Sequence, residues 1–98
     1  MESDIMTEQE LERISQIMKA VAHPTRMKIL FLLSKDLNNV NELVKALGVN
    51  QALVSQQLRI LRLNNLVKTE KKNGFVYYSL DPDKKKYINK MIECIYNI

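Results

Sequence analysis

The sequence of 98 residues has little cysteine, histidine, glycine or proline: one Cys, one His, two Gly and two Pro. A single cysteine excludes a disulfide within the chain, so a reducing cytoplasm is the compartment we expect. No apolar run approaches the roughly 20 residues that cross a bilayer, and the opening MESDIMTEQE is acidic where a signal peptide is basic. So few glycines and prolines leave little room for long linkers, and we expect one domain over residues 1–98 without a membrane partner.

Charge is distributed unevenly along the chain. Residues 1–20 carry five acidic and two basic side chains, a net charge of −3, whereas residues 21–98 carry thirteen basic and six acidic ones, a net charge of +7. A basic body beside an acidic N-terminal segment predicts a polyanionic partner on one face. A lysine-rich surface that only aids solubility has the same composition, so charge alone does not decide between the two.

The spacing of apolar residues predicts four helices in the first two thirds of the chain. Thr7 and Glu10 form a capping-box pattern that starts the first helix, and Pro24 fits the first turn of the second. Apolar residues three or four apart predict a short third helix over residues 40–47 and a fourth over residues 51–64.

A tight turn joins the third and fourth helices. Gly48 stands where a left-handed C-terminal cap is expected, and Asn50 is a strong N-cap residue. Val49 and Val54 occupy the positions of a hydrophobic staple, which fixes the angle at which the chain enters the fourth helix. Two helices with such a connection predict a helix-turn-helix.

A hairpin follows the helix-turn-helix. Residues 66–71 and 75–80 are β-branched and aromatic runs, and the Asn73–Gly74 pair between them is the strongest short-range hairpin signal. A last helix begins around Asp81. The order α-α-α-α-β-β-α predicts a mainly α winged helix-turn-helix, with the basic hairpin as its wing.

These segments resemble the ArsR/SmtB (arsenic-repressor-like) family of transcription factors. Residues 20–30, AVAHPTRMKIL, are similar to the family's A-L-x-H-P-T-R-x-x-I-L, and residues 47–61, LGVNQALVSQQLRIL, to its L-x-x-S-x-x-x-V-S-x-H-L-x-x-L. Residues 73–80, NGFVYYSL, are similar to its wing, R-x-G-x-x-x-Y-x-L. The resemblance implies a homodimeric repressor that binds operator DNA and releases it when an inducer, often a metal ion, binds.

The fourth helix carries side chains suited to base edges on the face opposite its leucines. A Gln amide bonds adenine at N6 and N7 together, Ser reaches several acceptors, and an Ala methyl meets a thymine methyl. The residues predicted to contact double-stranded DNA are Asn50, Gln51, Ala52, Ser55, Gln56, Arg59, Lys71, Lys72 and Asn73. A solvated helix face, and edge protection of the hairpin by lysines, are the alternatives.

The first and last helices carry apolar stripes that so small a core cannot fully cover. We therefore expect them to pack across a two-fold axis, which places two reading helices on an inverted-repeat operator. The predicted interface residues are Leu11, Ile14, Met18, Tyr87, Ile88, Met91, Ile92 and Ile95. Packing within one core is the alternative.

The usual sensor sites of the family are not filled in this sequence. Asn39 and Asn41 stand where one metal-sensing branch has two cysteines. Where another branch has an Asp and a His at the start of the last helix, this chain has Asp81, Asp83 and Lys84, and it has Ile95 and Ile98 where the last ligands of that site would be expected. One His and one Cys cannot build a zinc or nickel cluster. The sequence thus predicts no metal and no cofactor, and leaves the inducer open.

The single histidine and cysteine are given structural roles. His23 is expected to cap or pack at the start of the second helix, and Cys94 to be a small buried hydrophobe, although a bond between Cys94 and its copy across the dimer stays open. No nucleophile–base pair and no Gly-rich phosphate loop predicts an enzyme. A winged helix for protein or RNA contact is the competing hypothesis, and it would need an acidic or apolar outer face on the fourth helix.

Overall fold

The computed structural model describes residues 7–96 of the chain and the side-chain surroundings of residues 7–94. Five helices and two strands follow one another as α1 (Glu8–Val21), α2 (Pro24–Ser34), α3 (Val40–Leu47), α4 (Gln51–Leu63), β1 (Val67–Lys72), β2 (Phe75–Leu80) and α5 (Pro82–Tyr96). This order confirms the predicted winged helix-turn-helix. No helix in this part of the chain has the length and apolarity needed to cross a membrane.

Side chains cap the starts of α1 and α4 as the sequence predicts, and Asn39 caps α3 in addition. The Thr7 hydroxyl accepts the Glu10 N–H at 3.1 Å, and the Glu10 carboxylate accepts the Thr7 N–H at 3.4 Å. Asn39 and Asn50 start α3 and α4 in the same manner. His23 precedes α2 but makes no side-chain cap bond; its side chain is half-buried, so of its two expected roles the structure shows packing.

The core lies between α2 and α4, and every other element adds to it. Buried apolar side chains come from α1, α2, α3, α4, the base of the wing and α5: Ala20, Val21, Ile29, Leu30, Leu33, Leu43, Val54, Leu58, Leu61, Leu66, Val67, Leu80 and Ile88. α4 packs against α1, α2, α3 and β1, which fixes its orientation on the body. Ile88, expected at the dimer interface, is only 4% exposed because its own chain covers it, and it is withdrawn from that interface.

The wing is an antiparallel pair, β1 with β2, closed by a two-residue turn. Its base pair, Val67 with Leu80, is buried in the core, and its last pair joins Lys72 to Phe75. The turn residues have φ of +53° at Asn73 and +82° at Gly74, as a type I′ hairpin turn requires.

The start of α5 is bonded to the junction between α4 and β1. The Asp81 N–H donates to the Leu66 carbonyl at 2.9 Å, and the Lys84 ammonium donates to the Asn65 carbonyl at 2.8 Å. The buried Asp81 carboxylate also lies 3.9 Å from the Lys68 ammonium. The last helix is therefore attached to the chain segment that follows α4 and precedes the wing.

Candidate nucleic-acid interface

The turn between α3 and α4 presents α4 to solvent in a fixed direction. Gly48 adopts φ of +68° and its N–H donates to the Val44 carbonyl at 2.9 Å, which ends α3. The Asn50 side chain accepts the Leu53 N–H at 2.8 Å, which starts α4. Val49, between them, packs against the core. Both helix ends are thus capped within a connection of three residues, 48–50.

α4 has one covered face and one open face. The covered face holds Val54, Gln57, Leu58 and Leu61. The open face holds Gln51, Ala52, Ser55, Gln56, Arg59 and Arg62. Successive helical residues turn by about 100°, so the two sets lie on opposite sides of the helix, and every α4 residue predicted to contact DNA is on the open side. Asn50 is exposed as well, although its oxygen is engaged in the cap.

The predicted wing residues extend the same polar, basic surface. Lys71, Lys72 and Asn73 are all exposed at the far end of the hairpin. The two lysines lie on opposite faces of the ribbon, because successive strand residues alternate. That arrangement places ammonium groups on both sides of the wing tip.

One residue on the covered face of α4 was not singled out from the sequence. Gln57 is 7% exposed, and its Oε1 is a buried atom without a hydrogen-bond partner within the described residues, as are His23 Nδ1 and Arg26 Nε. The signal was present, since Gln57 lies three residues after Val54 and four before Leu61, on the inward stripe. It is a polar residue of the core and does not belong to the exposed reading surface.

The faces of α1 and α5 predicted to form a dimer are in part exposed. Leu11 (52%), Met18 (66%) and Tyr87 (69%) are open to solvent, as is Ile14. Met91 and Ile92 are half-buried against the core of the same chain, and the Ile95 side chain lies outside the described residues.

Cys94 is exposed, so the prediction that it is buried is wrong. Seven residues are about two helical turns, and Cys94 therefore lies on the same stripe of α5 as the exposed Tyr87. The core-facing stripe of α5 runs instead through Ile88. The apolar character of α5 did not show which of its sides packs against the core, and Cys94 lies on the other side.

At each of the two positions matching the family's metal sites, one residue is engaged in a helix cap. The Asn39 side chain accepts the Glu42 N–H at 2.9 Å and donates to the Glu42 carboxylate at 2.6 Å. The Asp81 carboxylate accepts the Asp83 N–H at 2.9 Å at the start of α5. Within residues 7–94, no group of three or more His, Cys, Asp or Glu side chains is placed to hold a metal ion.

A family model and several named bacterial regulators match this chain. The model described as "Bacterial regulatory protein, arsR family" matches residues 23–69. The chain is 34% identical over 77 residues to the Transcriptional repressor SmtB homolog of Synechocystis, which covers 79% of this chain and 58% of that protein, so the chain spans little more than half of that relative. It is 33% identical over 95 residues to the Transcriptional activator HlyU of Vibrio cholerae, covering 93% of this chain and 88% of that one.

Solved structures show the same fold. HlyU from Vibrio cholerae superposes with a TM-score of 0.81 at 30% identity, over 94% of this chain and all of that one. A homodimeric winged helix-turn-helix DNA-binding domain from Mycobacterium bovis superposes with a TM-score of 0.77 at 20% identity, over 96% of this chain and 90% of that one.

Proposed function

Since this chain belongs to the arsR family of bacterial regulatory proteins, whose members are regulators and not enzymes, we propose that it is a cytoplasmic homodimer that represses transcription by binding an inverted-repeat operator. One observation carries the proposal. The short polar side chains of α4 are exposed together, while Val54, Leu58 and Leu61 on its other side are buried. A helix held in this way is free to enter a major groove without unpacking the core.

The chemistry of the open face suits direct reading of bases. Gln51, Ser55 and Gln56 lie at i, i+4 and i+5, so they project from one side of α4. Each Gln amide offers a donor and an acceptor that match adenine N7 and N6, and the Ala52 methyl is suited to a thymine methyl. Arg59, one turn further along, is placed for a phosphate, a contact that sets orientation without reading sequence.

Two copies are needed for useful specificity, because one α4 reads too few base pairs. The exposed apolar residues of α1 and α5 supply the surface for a second copy. On α1, Met18 lies about 100° around the helix from the core-facing Ile17, and Leu11 lies about 80° from the core-facing Val21, with Ile14 between these two sides. The apolar stripe is therefore wider than one core can cover. Exposed apolar side chains grouped on two helices are typical of a surface that packs against another chain.

The proposed repressor does not sense a metal through the usual family sites. Asn39 and Asp81 serve as helix caps at the two matching positions. The neutral Asn39 amide is a poor ligand for zinc, and the Asp81 carboxylate has no convergent set of thiolate, imidazole or carboxylate ligands beside it among the described residues. An inducer, where one acts, is therefore expected to bind by other chemistry.

Selection of bound duplexes from a random pool tests the proposal directly. The expected outcome is an inverted repeat whose half-sites are separated by about one helical turn or a multiple of it. Gln56→Ala should cost about 1–3 kcal/mol at one base position and relax the preference there. Gln9→Ala is the matched control, since this exposed glutamine lies on the side of α1 opposite its exposed apolar residues. Unchanged operator preference in Gln56→Ala would place α4 outside the groove.

Titration of random duplex DNA at two salt concentrations separates this function from a protein- or RNA-binding winged helix. Phosphate contacts release counterions, so the affinity for duplex should fall as salt rises. Affinity for duplex that is absent, or that does not change with salt, contradicts any mechanism based on phosphate contacts. Binding to single-stranded or folded RNA in preference to duplex DNA would favour the alternative.

A further inference from the structure

A large aromatic side chain is exposed at the tip of the wing. Phe75 is 66% exposed, and it is the first residue of β2 after the Asn73–Gly74 turn. Water is an unfavourable environment for so much apolar surface. Of the wing-tip residues, only Lys71, Lys72 and Asn73 are predicted from the sequence to contact DNA.

The register of the hairpin keeps Phe75 away from the core. Phe75 pairs with Lys72, and alternation along the strands puts this pair on the face opposite the buried Val67 and Leu80. Five residue steps separate the tip pair from that base pair, which is about 17 Å at the usual strand rise. The ring therefore cannot fold back onto the apolar interior of its own chain.

The surroundings of Phe75 favour a polyanion as its partner. Lys71 and Lys72 are both exposed next to it, and they would repel the identical tip of a second copy. An ammonium beside an aromatic ring matches the minor groove of DNA, where phosphates line the rim and sugars form apolar walls. Apolar side chains that enter this groove from a basic element are an established mode of recognition.

We propose that Phe75 enters the minor groove of the duplex beside the major-groove site of α4 and packs against its sugar walls. The inference rests on the proposed function, because it needs α4 to dock the body on DNA. Lys72, its cross-strand partner, holds the adjacent phosphates. The wing thereby adds an apolar contact that depends on the width of the groove and not on counterion release.

Two substitutions in one cross-strand pair separate the apolar contact from the charged one. Phe75→Ala in the full chain should lower the affinity for the selected operator about five- to thirty-fold per half-site, from the burial of two thirds of a Phe side chain. The slope of log affinity against log salt should stay unchanged. Lys72→Ala should instead flatten that slope by about one unit for each wing. Phe75→Leu should recover part of the lost affinity, and hydroxyl-radical protection of the minor groove at the wing position should disappear only in Phe75→Ala.

Each alternative outcome is distinct. Equal affinity of Phe75→Ala and the wild-type chain overturns the inference, and so does a salt slope that falls as it does in Lys72→Ala. A shift of Phe75→Ala towards monomers in sedimentation without DNA would show that the ring serves a second copy, and would also overturn it. The proposed function itself is tested separately with the wild-type chain. It fails if the wild-type chain shows no salt-dependent binding to duplex DNA.

Discussion

Replacing Met18 with alanine should weaken the proposed dimer without destabilising the single chain. Met18 is 66% exposed on α1, on the same side as Leu11 and Ile14. Its side chain contributes little to the core of its own chain, so thermal unfolding of the monomer should change little. Loss of this side chain should instead weaken the contact between the two copies.

The magnitude follows from the exposed area. Full burial of a Met side chain contributes about 1.5–3 kcal/mol, and about two thirds of it remains open in one chain. Closing the interface would therefore gain about 1–2 kcal/mol at each Met18, and two-fold symmetry doubles this to about 2–4 kcal/mol for the dimer. At about 1.4 kcal/mol for each factor of ten, Met18→Ala should raise the dimer dissociation constant roughly 30- to 700-fold.

Sedimentation equilibrium over a wide range of protein concentrations, without DNA, measures this constant. Leu63→Ala is the matched control, because Leu63 is 65% exposed but lies at the end of α4, on neither of the two helices assigned to the dimer face. The control should dimerise as the wild-type chain does. Equal dissociation constants for Met18→Ala and the wild-type chain would refute the assignment of this face to the dimer, and so would a loss of equal size in both variants.

Three substitutions test the elements that position the DNA-facing surface. Asn50→Ala removes the acceptor of the Leu53 N–H and should lower the free energy of unfolding by about 1 kcal/mol in urea titrations; Asn50→Asp, which keeps an acceptor, should not. Gly74→Ala should destabilise the hairpin by about 1–2 kcal/mol through the left-handed backbone alone, since an added Cβ meets nothing within 4 Å; amide exchange across β1 and β2 would report it. Asp81→Ala removes the acceptor of the Asp83 N–H and should lower the free energy of unfolding in urea by about 0.5–2 kcal/mol. Lys68→Ala should change it little, because the Lys68 side chain is 60% exposed and its ammonium lies 3.9 Å from the Asp81 carboxylate.

Local signals predicted the elements of this fold well. A cap acts within one turn of its helix, so Thr7 and Asn50 mark helix starts that no distant contact needs to confirm. The Asn73–Gly74 turn is similar, because its positive φ angles are a property of two adjacent residues. Periodicity then separated the open and covered faces of α4, where polar and apolar residues alternate clearly.

Periodicity failed where a helix is apolar on more than one side. α5 offers Tyr87, Ile88 and Cys94 within two turns, and its sequence does not say which of them its own core covers. The structure buries Ile88 and exposes the other two. The choice depends on how α5 packs against α2, a contact between residues far apart in sequence. Gln57 is the reverse case, a polar residue buried because its neighbours on the inward stripe of α4 are apolar.

The attachment of α5 bears on how two copies would present their reading helices. Under the proposed assembly the copies meet on α1 and α5, while DNA is contacted by α4 and the wing. Asp81 bonds to the Leu66 carbonyl and Lys84 to the Asn65 carbonyl, so the start of α5 is fixed to the two residues that link α4 to β1. A rotation of one copy against the other must therefore carry α4 and the wing with it, because no flexible linker lies between these elements. The packing of the apolar dimer face then sets the spacing of the two half-sites. Met18→Ala should therefore reduce the affinity for the operator, although Met18 itself does not contact DNA in the proposed complex.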